Sequence, residues 1–445
     1  MDFEYLIKKS LGLQDVTIES FEEVPETLSL KIVARQNRKS CVCHHCSSPL
    51  LQVHEWKERK LRAAPLGAFL FVELVLWQLR AYCGICDDNI RSSKIPFVHP
   101  EFESMTLALC ELAGRWMEEL PCAAVARFLH LNSKTMWELD QYRMNAMKPL
   151  MRLPEEIDLS KMSADEVHFR TMPKVDSMTK PEIKFVTNLV CYKEGKVLSN
   201  ASGRDSKSLL KCLKVLSPEQ RASIKTFAVD MHEPFMKVIR KFCPNAEICV
   251  DRFHLAERVN EAFDELRKFE FQKAKEAEDT FQVGMLSPHR RFVLVEREKK
   301  LKKGDLKMLD RLKEINKNIL NGMILVEHFH LMLDKTDVTE FRKALVLWYR
   351  LAREAGLTPF KKLALLIKKY RRYIEAYINT KLTTAKSEGL NNKIKVLRRS
   401  AYGYTNEESY MNKILQRCGY LNSRFIHTSS WFWGHPSQLA SNPPF

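Results

Sequence analysis

The sequence has no run of apolar residues long enough to cross a bilayer. Its most apolar stretch, residues 66–79, is interrupted by Glu73 and Gln78 and is shorter than the roughly 20 residues that a spanning helix needs. The opening residues MDFEYLIKKSL lack the charged, apolar and small-residue regions of a secretory signal. These absences predict a protein of the cytosol that has no membrane partner.

The chain also has too few acidic residues to balance its basic ones. It carries 55 Asp and Glu against 72 Lys and Arg, which gives a formal net charge of +17. A surplus of this size favours a polyanionic partner, with nucleic acid ahead of an acidic membrane surface. With 445 residues, of which 45% are hydrophobic, the chain is long enough for two to four domains with cores of their own.

The twelve cysteines do not follow the spacing of a secreted disulfide framework, because five of them crowd into residues 41–86. Two C-x-x-C pairs stand out, Cys43 with Cys46 and Cys83 with Cys86. Each pair presents two thiolates on one tight turn, so the two pairs predict a closed, structural four-thiolate zinc site. The alternative is that the cysteines are incidental. Competing ligands are Cys41, His44, His45 and His54.

Hydrophobic periodicity divides the chain into regions of different predicted secondary structure. Residues 1–40 predict short strands, residues 103–150 predict helices, and residues 151–162 resemble a linker. Further along, the pattern predicts a hairpin over 182–192 and 196–203, a helix over 206–215, strands over 224–230 and 247–253, a long helical block over 255–380, and a helix over 386–400. The aromatic tail from residue 421 is left unassigned.

Residues 120–144 have the pattern of two helices separated by a break at His130–Asn132. Asn132 or Ser133 would cap the second helix. Lys134 and Thr135 would then face outward from its first turn, where helix-turn-helix motifs meet DNA bases. An ordinary helical hairpin is the alternative.

Acidic residues follow apolar, strand-like segments at Asp165, Asp230 and Asp251. A carboxylate at the end of a buried strand is costly unless a partner compensates its charge, and divalent ions such as Mg²⁺ are suitable partners. The helix predicted over 386–400 adds Glu388. Its polar residues share one stripe with Glu388, namely Asn391, Asn392, Lys395 and Arg399. Taken alone, Glu388 is better explained as an acid that suits the N-terminus of an amphipathic helix.

At these residues the sequence resembles the ISL-three insertion-sequence family of DDE transposases. The resemblance runs in order from about residue 40 to 415 and is carried by short motifs. These are the two cysteine pairs, the predicted helix pair, Gly203-Arg204-Asp205, Val229-Asp230-Met231, Val250-Asp251-Arg252-Phe253-His254, Ser387-Glu388-Gly389-Leu390-Asn391-Asn392-Lys393-Ile394-Lys395 and Arg398-Arg399-Ser400-Ala401-Tyr402-Gly403-Tyr404.

The resemblance implies a multidomain α+β and α/β fold with a ribonuclease H-like catalytic core that a long all-helical insertion interrupts. The catalytic triad falls on Asp165, Asp230 and Glu388, which would hold two magnesium or manganese ions. Asp251 is a reserve ligand, and His254 is a residue near the site. The expected domains are a zinc-binding domain over 1–98, a helix-turn-helix domain over 99–150, the catalytic core over 158–255 and 381–420, the helical insertion over 256–380 and a tail over 421–445.

The same resemblance implies the partners and the reaction. The N-terminal modules would bind the terminal inverted repeats of a bacterial element, and the protein would cut the 3′ ends and join them to target DNA as a dimer or larger assembly at the nucleoid. Phosphate contacts are expected from basic residues near the motifs, namely Arg204, Lys393, Lys395, Arg398 and Arg399. Two alternatives stay open: a non-catalytic DNA-binding regulator, and a metal-dependent nuclease that cleaves without joining.

Overall fold

The computed structural model describes residues 3–50, 52–86, 89–171, 183–290, 294, 303–382 and 385–426. It divides into two compact units. One unit joins Met1–Leu153 to Val396–Phe445, and the other spans Pro154–Lys395. Most of the unassigned tail, residues 427–445, lies outside the described residues. No described helix combines the length and the hydropathy of a transmembrane span.

The first unit contains a sheet in the order β1-β2-β4-β3, with β5 paired to β4. Its strands are β1 Val16–Val24, β2 Ser29–Gln36, β3 Val53–Ala63, β4 Phe71–Tyr82 and β5 Ile90–Ser92. The apolar stretch that is too short to span a membrane forms the central strand β4. Leu74 and Leu76 of that strand are fully buried, which explains its hydrophobicity without a bilayer.

Helices complete this first unit. They are α1 Phe3–Leu11, α2 Leu107–Met117, α3 Cys122–Phe128, α4 Ser133–Met147 and, from the C-terminal part of the chain, α15 Glu407–Cys418. The expectation of strands throughout residues 1–40 is wrong for α1. There Ile7 and Leu11 lie four residues apart and are both buried, which is the spacing of one helix face. Helix α15 was not predicted.

The second unit contains a sheet in the order β10-β9-β6-β7-β8. Its strands are β6 Lys161–Thr171, β7 Ile183–Cys191, β8 Lys196–Ser202, β9 Thr226–Val229 and β10 Glu247–Val250. Strands β6, β7 and β8 form an antiparallel meander, whereas β9 is parallel to both β6 and β10. The hairpin predicted over 182–192 and 196–203 is therefore confirmed. The end of the predicted linker belongs to β6.

Helices surround this second sheet and form the long block that follows it. They are α5 Ser206–Leu213, α6 Pro218–Ala222, α7 Glu233–Phe242, α8 Arg252–Glu276, α9 Thr280–Met285, α10 Lys303–Ile315, α11 Lys317–Leu333, α12 Val338–Ala355, α13 Thr358–Thr380 and α14 Ala385–Ser400. The described residues of the block 255–380 contain no strand, as predicted. Residues 291–293 and 295–302 of that block lie outside the described residues.

Candidate functional site

The two cysteine pairs of the first unit converge on one point. The thiol sulfurs of Cys43, Cys46, Cys83 and Cys86 all lie within 4.8 Å of one another. Backbone hydrogen bonds close the first turn, from Ser47 N to Cys43 O at 2.9 Å and from Cys43 N to Ser48 O at 2.8 Å. This is an arrangement in which four sulfurs can surround one ion.

Two thiols of the cluster have pKa values shifted in opposite directions, and burial raises the pKa of the Cys86 thiol to about 12. Hydrogen bonds from Ser48, the backbone N–H first, lower the pKa of the Cys46 thiol to about 6. The competing ligands are less well placed. Cys41 donates to Asn37 O at 3.4 Å and packs with Leu79 and Ala81 instead. The exposed His45 places Nδ1 3.7 Å from the Cys86 sulfur, so it lies beside the cluster rather than within it.

The two helices predicted in residues 120–144 are present as α3 and α4. The chain turns between them through His130, which has a left-handed φ of 50°. The Asn132 side chain accepts from Lys134 N at 2.8 Å and caps α4. Of the two predicted capping residues, Asn132 and Ser133, it is Asn132 that caps the helix. Lys134 is exposed and Thr135 is half-buried at the start of that helix, so the Lys134 side chain can reach a partner in solvent.

The three aspartates lie at the same level of the second sheet, Asp230 and Asp251 directly after β9 and β10, and Asp165 within β6 rather than at its end as the sequence suggested. Ser163 pairs with Ala228 across β6 and β9, so Asp165 is level with Asp230, two residues further along. Val229 pairs with Val250 across β9 and β10, so Asp230 is level with Asp251. Residues at one level of neighbouring parallel strands project from the same face. The register therefore gathers the three acids into one row.

Asp165 is held on both of its carboxylate oxygens. Its Oδ1 accepts from Glu166 N at 2.7 Å, and its Oδ2 accepts from Asn391 Nδ2 at 2.5 Å. Burial, followed by the negative charges of Asp230 and Glu166, raises the pKa of Asp165 to about 7. Repulsion between carboxylates in a confined space is the condition that a bound cation relieves.

Asp230 is paired with a histidine from the start of α8. The two are joined by His254 Nε2 and Asp230 Oδ1 at 2.6 Å. Burial lowers the pKa of His254, but the hydrogen bond and the charge of Asp230 outweigh burial and raise it to about 9. Asp251 precedes α8 as its N-cap residue and is 2% exposed. His254 thus supplies positive charge to the row of acids.

Glu388 lies on α14, and the residues around it bring that helix against β6. The hydroxyls of Ser387 and Ser163 are 2.5 Å apart and buried, and Asn391 reaches Asp165 one turn further on. Glu388 itself is exposed. Among the described residues, only the four cysteines form a group of three or more His, Cys, Asp or Glu ligand atoms within 4.8 Å. The acids therefore share a neighbourhood without being packed as closely as the sulfurs.

A tight turn places Arg204 at the same site. Gly203 has a φ of 93°, and a Cβ there would lie 2.6 Å from Ser208 Oγ, so glycine is needed. Asp205 then caps α5 by accepting from Ser208 N at 2.8 Å. The Arg204 guanidinium lies over the ring of Phe185 at 4.6 Å. Its charge opposes the burial that raises the pKa of Glu166, so Arg204 lies close to the acids.

The basic residues predicted on α14 are mostly at the surface. Lys393, Lys395 and Arg399 are exposed, and Arg398 is half-buried. Asn391 differs from the predicted stripe, because it is 9% exposed and lies on the buried side of the helix. The buried spacing runs from Ser387 through Asn391 to Ile394. The basic side chains of Lys393, Lys395 and Arg399 are thus exposed to solvent, whereas Asn391 is part of the interior.

Sequence reasoning missed several residues at this site. Glu166 is half-buried beside Asp165. Burial, with the charge of Arg204 next, lowers the pKa of His232. Asn188 pairs with Asp165 across β6 and β7, is 1% exposed, and has no hydrogen-bond partner for either amide atom among the described residues. A buried asparagine within a strand carries no distinctive sequence signal, because only the strand register shows what it faces.

Comparison with known proteins covers the segment of the chain that contains these acids. Residues 165–414, more than half of the chain, match the model of the ISL-three family, which is described as transposase. The match begins at Asp165, continues through Asp230 and Glu388, and ends within α15. The chain therefore belongs to the ISL-three transposase family, and the resemblance noted from its motifs is confirmed.

Two curated relatives extend the comparison. The transposase for insertion sequence element IS1001 of Bordetella parapertussis is 25% identical over 387 residues, which cover 87% of this chain and 91% of that protein. The transposase for insertion sequence element IS1557 of Mycobacterium tuberculosis is 23% identical over 277 residues, which cover 58% of this chain and 60% of that protein. The protein is thus a transposase, an enzyme that acts on DNA.

Proposed function

We propose that this transposase cuts and rejoins DNA at a DDE-type site formed by Asp165, Asp230 and Glu388. The observation that carries the proposal is the convergence of three separate chain segments. Strand register brings Asp165 level with Asp230, and the contacts of Ser387 and Asn391 bring the helix of Glu388 against the same strand. Asp251, at the end of the row, remains the reserve ligand.

A ribonuclease H-like core is part of this proposal. Three antiparallel strands are followed by two that lie parallel to the first of them, and the third acid arrives on a helix after the sheet. The helical block between β10 and α14 would then be an insertion in the core. The sheet order and the late helix support this assignment.

The residues of the site suit divalent cations such as magnesium or manganese. Carboxylates are hard oxygen donors, and burial, followed by the charges of Asp230 and Glu166, raises the pKa of Asp165 to about 7, so a bound cation would stabilise its ionised form. Asn188, whose buried amide faces the same level of the sheet, would offer hydrogen bonds to water of the ion's hydration shell. A pair of such ions, held by Asp165, Asp230 and Glu388, would supply charge stabilisation to the attacking and leaving oxygens of phosphoryl displacement.

The chain's own residues would orient the DNA and balance charge. Arg204 and the exposed Lys393, Lys395 and Arg399 on α14 would bind phosphates, as would the half-buried Arg398. His254, which Asp230 stabilises in its protonated form, would partly neutralise the negative charge of the acids before metal ions bind. In the first step water would break one P–O bond at the 3′ end and form another. The freed 3′-hydroxyl would then exchange one P–O bond for another in target DNA.

The cysteine cluster would hold one structural zinc ion. Its four sulfurs leave no position for substrate, which is typical of structural rather than catalytic sites. By fixing the ends of β4 and β5, the ion would stabilise the unit that contains α3 and α4. Those helices would recognise the terminal inverted repeats, with Lys134 and Thr135 among the contacts. Because two ends must be joined, a dimer or larger assembly at the nucleoid is proposed.

A DNA-end assay tests the proposal against its alternatives. Wild-type protein and Glu388→Gln are incubated with labelled element ends and Mg²⁺, and nicking and strand transfer are measured separately. The proposal expects both reactions in the wild type and neither in the variant. Equal inertness of both proteins would favour the non-catalytic regulator. Cleavage without any joined product would favour the nuclease.

A further inference from the structure

The packing of α14 against β6 contains one contact that a merely structural interface does not require. Asn391 is 9% exposed and donates from Nδ2 to Asp165 Oδ2 at 2.5 Å. The two residues are 226 positions apart in the sequence. The contact therefore links the first proposed catalytic acid directly to the helix that carries the last one.

This hydrogen bond leaves room for a cation on Asp165. A carboxylate has about four lone-pair positions on its two oxygens. Glu166 N uses one on Oδ1 and Asn391 uses one on Oδ2, so the described part of the chain leaves one position on each oxygen for another partner. Because the amide is neutral, it orients the carboxylate without neutralising its charge. A lysine or arginine at this position would neutralise that charge and compete with a metal ion.

The neighbouring contact separates packing from positioning. One helical turn before Asn391, the Ser387 and Ser163 hydroxyls meet at 2.5 Å, and both residues are fully buried. That pair joins the same two elements without touching a carboxylate. Helix and strand are thus held together at one point, and the acid is oriented at the next.

We propose that Asn391 is a positioning residue that fixes the Asp165 carboxylate for metal binding and keeps it in register with Glu388. This proposal rests on the DDE-type site proposed above. Hydrogen bonds from groups around a metal ligand commonly change metal affinity or activity 10- to 100-fold when they are removed. Asn391 acts through Asp165, so its removal changes first the metal concentration that the reaction needs.

The test compares Asn391→Leu with wild type in Mn²⁺-dependent cleavage of labelled DNA ends. The metal concentration for half-maximal rate is expected to rise about tenfold, with part of the rate recovered at saturating Mn²⁺. Direct Mn²⁺ titration of the full chain without DNA is expected to show the same shift. Asn391→Gln, which keeps the amide, is expected to recover part of the affinity.

Two further variants are compared with it. Asn379→Leu makes the same substitution at an exposed position of α13 and is not expected to shift the Mn²⁺ dependence more than about twofold, a small fraction of the change expected for Asn391→Leu. Ser387→Ala weakens the packing that holds the helix of Glu388 without touching Asp165, so it measures how far loosened packing alone shifts the Mn²⁺ dependence. If Ser387→Ala shifts it as far as Asn391→Leu, or if Asn391→Leu retains wild-type dependence, the positioning role is excluded.

Failure of the wider proposal gives a different result. If Asp165→Asn cleaves DNA as well as wild type, the DDE-type assignment is wrong whatever Asn391 does. If Asp165→Asn is inactive while Asn391→Leu has wild-type metal dependence, the assignment stands and only the role of Asn391 is wrong. Unfolding curves of all variants show whether each one is folded in the assay.

Discussion

The cysteine cluster and the acidic site differ in how far apart their residues are in the sequence. The four cysteines come from residues 43–86 and meet as two short turns at the edge of one sheet. The acids come from positions as far apart as Asp165 and Glu388 and meet only through strand register and helix packing. A site of local turns is complete as soon as its sheet forms, whereas the acidic site depends on the whole second unit.

This difference explains what the sequence could predict. The cysteine pairs, the hairpin after residue 182 and the helix over 386–400 are coded by local spacing, and each was predicted. That Asp165 and Asp230 are level, and that Asn188 faces them, follows from strand pairing, which no local pattern contains. Family resemblance supplied the triad where periodicity left Asp251 as an equal alternative.

Helices α1 and α15 were missed for a related reason. Helix α15 buries polar residues, among them Asn412, Lys413 and Gln416, so its hydropathy pattern does not outline a core-facing stripe. Lys413 can be buried because Asp140 of α4 lies 2.6 Å away, and sequence periodicity cannot reveal such a partner. Helix α1 is only nine residues long and lies next to residues that alternate like strands.

The largest effect is expected from breaking the cysteine cluster. Cys83→Ser should abolish metal retention and remove on the order of 10 kcal/mol of coupled binding and folding energy from the first unit. Zinc content by elemental analysis and thermal unfolding measure both effects. Cys41→Ser, which alters a nearby cysteine outside the cluster, should retain the ion. Equal zinc content in wild type and Cys83→Ser would show that the cysteine cluster does not hold the ion.

At the acidic site the expected loss is in rate rather than in folding. Asp165→Asn should reduce DNA cleavage by about a thousandfold, which corresponds to about 4 kcal/mol of transition-state stabilisation. The amide has nearly the shape of the acid and removes a repulsive charge, so the fold should persist. Single-turnover cleavage at saturating Mg²⁺ measures the loss. A greater loss of cleavage rate in Asp251→Asn than in Asp165→Asn would show that Asp251, rather than Asp165, is the metal ligand.

Contacts between distant residues also stabilise the first unit. The Lys413–Asp140 pair is buried on both sides, with side-chain exposures of 5% and 1%. Lys413→Met should therefore destabilise this unit by about 3–5 kcal/mol, because it leaves a buried charge without its partner. Denaturant unfolding measures the change. Adding Asp140→Leu should recover most of it, and a double variant no more stable than the single one would contradict this explanation.

The smallest effect is expected from an exposed pair between the same two helical regions. Lys148 Nζ lies 3.0 Å from Glu408 Oε1, with side-chain exposures of 43% and 66%. Solvent screening leaves such pairs worth less than about 1 kcal/mol. Lys148→Ala should therefore shift the unfolding midpoint only slightly. A loss comparable to that of Lys413→Met would show that burial does not govern these long-range contacts.

The most direct test of the acidic site is to locate manganese in a crystal of the transposase bound to a DNA end. Anomalous scattering at the manganese edge identifies the ion independently of the protein density. The account predicts manganese coordinated by Asp165, Asp230 and Glu388, with Asn391 still hydrogen-bonded to Asp165. Manganese bound by Asp230 and Asp251, with Glu388 directed into solvent, would contradict it.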